Sequence, residues 1–333
     1  MSVVYKKLED VCEILDSRRV PITAKDRKAG TYPYYGANGL QDYVADYIFD
    51  DELVLLAEDG GNFGSKERPI AYRVSGKCWV NNHAHVLKAK PNMHVDYLCY
   101  ALMFYDTEGL VNGATRQKLT QAAMRQMVIP YRDMTEQLQI IKKISQIVRS
   151  IEKRKEELQL LDQLVKSRFI ELFGDPIKNT QHRPTTAFVN VVTMQRGFDL
   201  PVQDREQSGN IPVYGSNGVL DHHNQAKVCN GGVITGRSGT IGKVFYTKGA
   251  YWPLNTTLFS VDTHENNIIY LAHLLRMFNL ARFTEGTGVP TLNRNKFHSA
   301  PIIDVPIDEQ NQFAAFVEQT DKSKLCGKME VAA

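Results

Sequence analysis

The chain writes one short loop twice, PYYGANG over residues 33–39 and PVYGSNG over 212–218, with different sequence around each copy. The repetition runs on. VLLAEDGGNFG (54–64) is answered by VITGRSGTIG (233–242), an apolar strand followed by a glycine-rich turn. GKCWVNNHAHVL (76–87) pairs with GAYWPLNTTLF (249–259), which aligns Asn82 with Asn255 and Trp79 with Trp252, the only two tryptophans. From Tyr97 with Tyr270 to Glu136 and Gln137 with Glu309 and Gln310 the offset is constant. A period this long means duplicated domains; solenoid repeats run only about 20–50 residues. Each copy reads as the loop, strands with glycine turns, a short amphipathic helix, a turn carrying Thr115 or Thr287, an apolar strand, and a helix opening at Thr135 or Asp308.

Between the copies, residues 135–173 contain no Gly or Pro, which predicts one long helix spanning roughly 55 Å. Its apolar seam, Ile141, Ile144, Val148, Ile151, Leu158, Leu161 and Val165, recurs near a 3.5-residue period, with Lys155 interrupting. Gly174 and Pro176 end it. The second helix, 308–325, is about half as long, so an antiparallel pair leaves part of the first without an intrachain partner. KRKEE (153–157) reads as a solvated helix face or as a contact for a partner subunit.

With 333 residues, 43% of them hydrophobic, the chain can bury a core in each of two domains, which excludes a disordered or fibrous class. The formal charge of +3 permits nucleic-acid binding through local patches without announcing it. Cys12, Cys78, Cys99, Cys229 and Cys326 are scattered with no CxxC pair, so neither a zinc ribbon nor a disulfide framework is indicated. No apolar run has the length of a membrane span, and charges interrupt the N-terminal stretch where a signal peptide needs its apolar core. A reduced, cytoplasmic setting is the expectation.

GRSGTIGK (236–243) breaks the phosphate-loop pattern, with one residue too many between its glycines and Val244 where Ser or Thr is required. Two readings of this turn stand: a tight hairpin, or a backbone that approaches a DNA phosphate beside Arg237, Ser238, Thr240 and Lys243. EDGGNFGSKERP (58–69) sets Lys66 and Arg68 among Glu58, Asp59 and Glu67, either as a salt-bridged loop or as a DNA-facing one whose acids accept from cytosine N4. Alternation after Trp79 puts His83 and His85 on one strand face, where they read as hydrogen-bonded histidines, as metal ligands lacking a nearby third, or, with Asn82, as DNA surface. Asn255, Thr256 and Thr257 take the related place in the second copy. The polar turns 112–121 and 286–296 carry Arg116, Lys118, Thr291, Asn293, Arg294 and Lys296, as ordinary loops or as phosphate contacts common to both copies.

Two divergent domains, each closed by a helix opening on an acidic–Gln pair, and the central DQLVKSRFIELFGDP (162–176) resemble the specificity subunits of Type I restriction-modification systems over essentially the whole chain. The resemblance implies an α/β (α+β) fold in a pseudo-two-fold arrangement. Target-recognition domains would occupy 1–134 and 174–307, joined by a coiled-coil helix at 135–173 that pairs with a short C-terminal helix in 308–333. It further implies a non-catalytic subunit that reads a bipartite site on double-stranded DNA and directs adenine-N6 methylation and restriction. The DNA-facing residues would be Lys66, Arg68, Asn82, His83, Arg116, Lys118, Arg237, Ser238, Thr240, Lys243, Asn255, Thr291, Asn293, Arg294 and Lys296. Partners would be two methyltransferase (M) subunits and restriction (R) translocase-nuclease subunits. S-adenosylmethionine, ATP and Mg would sit on those partners, leaving this chain with no metal or cofactor of its own. Shared loops would keep a common scaffold while divergent surroundings read different bases. A specificity chain of a BcgI-like enzyme and a coiled-coil scaffold that binds no DNA are the alternatives. An autonomous methyltransferase would need an Asn/Asp-Pro-Pro-aromatic motif, and the chain has no Pro-Pro dipeptide.

Overall fold

A computed structural model of the chain describes residues 3–113, 116–206, 208–285 and 290–332, with side chains as far as Leu325. Thr115 and Thr287, the expected turn residues, lie outside the described residues. The chain divides into two compact units, 1–150 and 151–333.

In the first unit the strands Cys12–Ile14, Ala84–Ala89, Phe49–Ala57, Ala71–Val80, Ala29–Gly36 and Gly39–Val44 form one sheet in that order. All neighbours are antiparallel except Ala29–Gly36 and Ala71–Val80, which run parallel. The second half of the strand Phe49–Ala57, residues 53–57, is apolar and buried on both sides because both faces of the sheet are covered there. Val54 and Leu56 face Leu98 and Leu102 of the helix Val95–Met103, together with Met124 and Ile129. Leu53 and Leu55, pointing the other way, meet Val74, Val80 and Val86. Val4–Lys7 pairs separately with Val128–Tyr131.

The second unit repeats this order. Thr193–Arg196, Thr257–Asp262, Gly232–Gly236 and Val244–Thr247 form one sheet; Gly218–His223, Ile211–Gly215 and Trp252–Pro253 form another. The single strand Ala71–Val80 of the first unit is here two strands, Val244–Thr247 and Trp252–Pro253, with Gly249 between them. Both tryptophans hold the same register: Tyr34 pairs with Trp79 and Val213 with Trp252, each in parallel. Asn81 N donates to Tyr35 O at 3.0 Å and Leu254 N to Tyr214 O at 2.9 Å. The repeated loop is therefore a two-residue hairpin, closed by Gly36 with Gly39 and by Gly215 with Gly218. Gly39 and Gly218 have φ of +107° and +113°, a region that side chains disfavour, which is why the glycine recurs.

The long helix runs Met134–Phe173, 40 residues. Asp133 starts it one position before the expected Thr135, because its Oδ1 accepts from Glu136 N at 2.8 Å. The glutamine of each acidic–Gln pair is a buried tether. Gln137 Oε1 accepts from His94 N at 2.8 Å and its Nε2 donates to Arg132 O at 2.8 Å. Gln310 accepts from Asn267 N at 2.9 Å and donates to Val305 O at 2.8 Å. Of the predicted seam, Ile141 packs on the core of the first unit and Val165 is buried in that of the second. Ile144, Val148, Ile151, Leu158 and Leu161 stay half-buried. Phe169 and Phe173 continue the seam and are fully buried. The C-terminal helix, Ile307–Ala332, has 26 residues and is longer than the expected 308–325. It runs through Gly327, since one interior glycine costs a helix only about 1 kcal/mol. It lies antiparallel to the second unit's part of the long helix: Phe313 packs on Phe169 and Phe173, while Lys324 Nζ reaches Asp162 Oδ1 at 2.7 Å. Among the described residues no helix is long and apolar enough to cross a membrane.

Candidate nucleic-acid interface

In each unit the hairpin, the glycine turn and the polar loop meet at one corner of the sheet. Glu58 N donates to His83 O at 2.8 Å, and Leu119 N to Glu58 O at 2.7 Å. The second unit makes the same pair of bonds, Arg237 N to Thr256 O at 2.8 Å and Leu292 N to Arg237 O at 2.8 Å. Asp59 bridges Lys118, and Ser238 bridges Thr291. The hairpin tips join through asparagine: Asn38 Nδ2 donates to Gly60 O at 3.0 Å, and Asn217 Oδ1 accepts from Lys243 Nζ at 2.6 Å. Glu58 and Arg237 thus occupy the same position in the two units with opposite charge.

The first corner is neutralised from within. Glu58 pairs with Arg19 at 2.7 Å and Lys118 at 3.1 Å; Asp59 pairs with Arg116 at 2.7 Å and His83 at 2.6 Å. Asp16, nearly buried, accepts from Val86 N at 2.9 Å and Gln121 Nε2 at 3.0 Å, and faces His85 Nδ1 at 2.6 Å. Burial pushes the Asp16 carboxyl up, but the His85 ring and these N–H donors outweigh it and hold the group below its ordinary value. Glu58 behaves alike: burial raises it, and Arg19 and Lys118 bring it down further than that.

The shared strand face expected for His83 and His85 is not formed. Asn81 Oδ1 accepts from His83 N at 2.8 Å and turns the backbone before the strand Ala84–Ala89 begins, so each histidine meets a different carboxylate. Ligand atoms of Asp16, Glu58 and His85 do lie within 4.8 Å of one another. His85 Nε2, however, faces Leu119 O at 2.9 Å while Nδ1 faces Asp16 at 2.6 Å, so both ring nitrogens are already engaged by groups of the protein itself. Arg19 and Lys118 already supply the cations the acids require.

The acids at 58–59 pair with Arg19, Arg116 and Lys118 from other segments, while Lys66 and Arg68 are exposed in a turn ordered by Ser65, whose Oγ accepts from Arg68 N at 2.9 Å. Asn82 is exposed beside His83. In the second unit Ser238, Thr240 and Thr291 are half-exposed at the corner. Asn255 bonds Asp199, Lys296 pairs with Glu285, and Asn293 caps the helix Arg294–His298 through Asn295 N at 3.1 Å. The turn at 236–243 leads into a strand, Val244–Thr247, where a phosphate loop would need a helix. Asp16, Arg19, Gln121 and Arg196 belong to the two corners but were missed from sequence, because nothing repeated in residue type marks them.

A duplicated α/β protein with one loop corner in each unit is the class the fold defines, and comparison with known proteins gives the family. The model of the Type I restriction modification DNA specificity domain matches residues 2–161 and 190–327, and the chain belongs to that family, as a specificity subunit. A putative type I restriction enzyme specificity subunit of Haemophilus influenzae is 26% identical over 95% of this chain and 87% of its own length. A putative type I specificity subunit of Mycoplasma pneumoniae is 20% identical over 96% and 89%. The crystal structure of a type I S subunit from M. genitalium shares the fold, with a TM-score of 0.65 at 13% identity, covering 100% of this chain and 92% of that one.

Proposed function

We propose that this chain is the non-catalytic reader of its restriction-modification system, each unit presenting its corner to one half of a bipartite duplex site. Adenine-N6 methylation would be carried out by two methyltransferase subunits, and cleavage by ATP-driven translocase-nuclease subunits. S-adenosylmethionine, ATP and Mg2+ then belong to those partners, and the complex acts in the cytoplasm. The observation that carries this reading is the repetition of one loop corner on two units that differ in the side chains displayed there: a common scaffold with unlike contents suits two unlike half-sites. Phosphate contacts position such a reader and base contacts give it specificity.

Affinity for duplex DNA should therefore fall steeply with added salt. Replacing both Lys243 and Lys296 with alanine should flatten the plot of log affinity against log salt by about two, one for each phosphate no longer neutralised, and weaken all sequences alike. A slope unchanged in that double variant would remove these lysines from the interface, and affinity indifferent to salt would contradict duplex binding altogether.

A further inference from the structure

The corner of the second unit opens into a cavity of about 380 Å3 lined by Arg196, Arg237, Thr291, Asn293 and Arg294, with Leu258 also on its wall. The first unit fills the corresponding place with its own side chains. Backbone register equates the positions. Glu58 corresponds to Arg237 through the matched bonds already described. Leu15 N donates to Val86 O at 2.8 Å and Gln195 pairs with Phe259, so the next residues along, Asp16 and Arg196, correspond, as do His85 and Leu258. Gln121 and Arg294 each open the short helix that follows the polar loop. Two acids and a glutamine of the first unit are thus three arginines in the second, and the histidine between them is a leucine.

Charge compensation differs as sharply. In the first unit every acid of the corner has a basic partner. In the second, among the described residues, none of the three guanidiniums makes an ion pair. The one acid on the cavity wall, Glu285, is taken by Lys296 and by Asn293 Nδ2 at 3.2 Å. Three guanidiniums are donors only and require acceptors. A phosphate clamp would serve any duplex and would be wanted in both units; an acceptor site built into one unit alone suits a base of that unit's half-site. Among bases, guanine presents two acceptors, O6 and N7, in the major groove, matched to a bidentate arginine, whereas adenine sets an N–H donor beside its N7.

We propose that the cavity receives the O6/N7 edge of a guanine in the second unit's half-site, with Arg237 as the base-reading residue and Arg196 and Arg294 supplying the surrounding positive charge. This rests on the reading of the chain as a two-part DNA reader. Arg237 contributes its backbone, not its side chain, to the corner's hydrogen bonds, so alanine there leaves the fold intact.

The test is selection of bound duplexes from a random pool by the full chain, followed by affinity measurements on the selected site. The unaltered chain should select a guanine at one fixed position of one half-site, and 7-deazaguanine at that position should weaken binding about tenfold to a hundredfold. Arg237→Ala should abolish the preference at that position only, keep the other half-site, and lose its sensitivity to 7-deazaguanine. Equal weakening of all sequences by Arg237→Ala would mean a phosphate contact and overturn the assignment, as would a selected half-site whose guanines are all indifferent to Arg237. Failure of the unaltered chain to select any sequence would sink the DNA-reader interpretation itself, and this inference with it.

Discussion

Replacing Asp16 with alanine should destabilise the first unit by about 3–5 kcal/mol, the cost of removing a buried carboxylate that faces Arg19 at 3.6 Å and satisfies several buried hydrogen-bonding groups. Its side chain is 5% exposed and that of His85 1% exposed, so the histidine left behind has no water to replace the carboxylate. Val86 N and Gln121 Nε2 lose their acceptor as well. Chemical denaturation followed by hydrogen exchange in the strand Ala84–Ala89 measures the loss, and a change below about 1 kcal/mol would contradict the network drawn here. A pH signature accompanies it. Asp16 and Glu58 both have folded-state values below their ordinary ones. Their stabilisation is therefore complete above the unfolded carboxylate range of about 4, and is lost as pH falls through the lower folded values. The Asp16→Ala variant should lack that part of the acid sensitivity and change less than the unaltered chain below about pH 4.

Phe313→Ala should cost the second unit a similar amount, about 3–5 kcal/mol, because the ring is fully buried and the hole it leaves is walled by other rigid rings. Its centroid lies 5.4 Å from that of Phe169 and 5.6 Å from that of Phe173, and Phe173 is 5.2 Å from Tyr270. This aromatic cluster holds the C-terminal helix to the long helix and both to the domain beneath. Lys324→Ala, which breaks the partly exposed pair with Asp162, should cost only about 0–1 kcal/mol by comparison. If the two variants were equally mild in thermal unfolding, the aromatic cluster would not be what fixes the helix pair.

The parts of the fold that were legible in the sequence are those in which local chemistry and repetition agree. The hairpins at 36–39 and 215–218 need a glycine at positive φ, and the repeat shows it twice. The acidic–Gln pairs stood out by register, and their buried amides explain why glutamine was kept in both halves. Helix length was legible from missing breakers in the long helix, whereas the C-terminal helix, expected over 308–325, runs on through Gly327, where the backbone cost is modest. The seam was read correctly in spacing and too evenly in burial, since spacing cannot show which stretch of helix meets a partner. Of the residues at the second unit's corner, Arg237 and Arg294 lie in loops that the sequence singles out. Asp16 and Arg196 are not marked in this way, because each reaches its corner from a strand end about 40 residues upstream of its partner, Glu58 or Arg237, and their opposite charges erase any likeness between the copies. The pairing of His83 with His85 failed for a local reason, the Asn81 turn that interrupts strand alternation.

The central claim is that each unit reads its own half of a split DNA site. The most direct measurement is genome-wide mapping of methylated adenines in cells carrying the chain, compared with cells carrying a hybrid in which residues 184–305 come from a relative of different specificity. That segment holds the second unit's strands and its basic corner but neither long helix. The account predicts a bipartite motif in both cases, with one half identical and the other replaced. A hybrid that changed both halves, or a parent motif that was one continuous sequence, would contradict it.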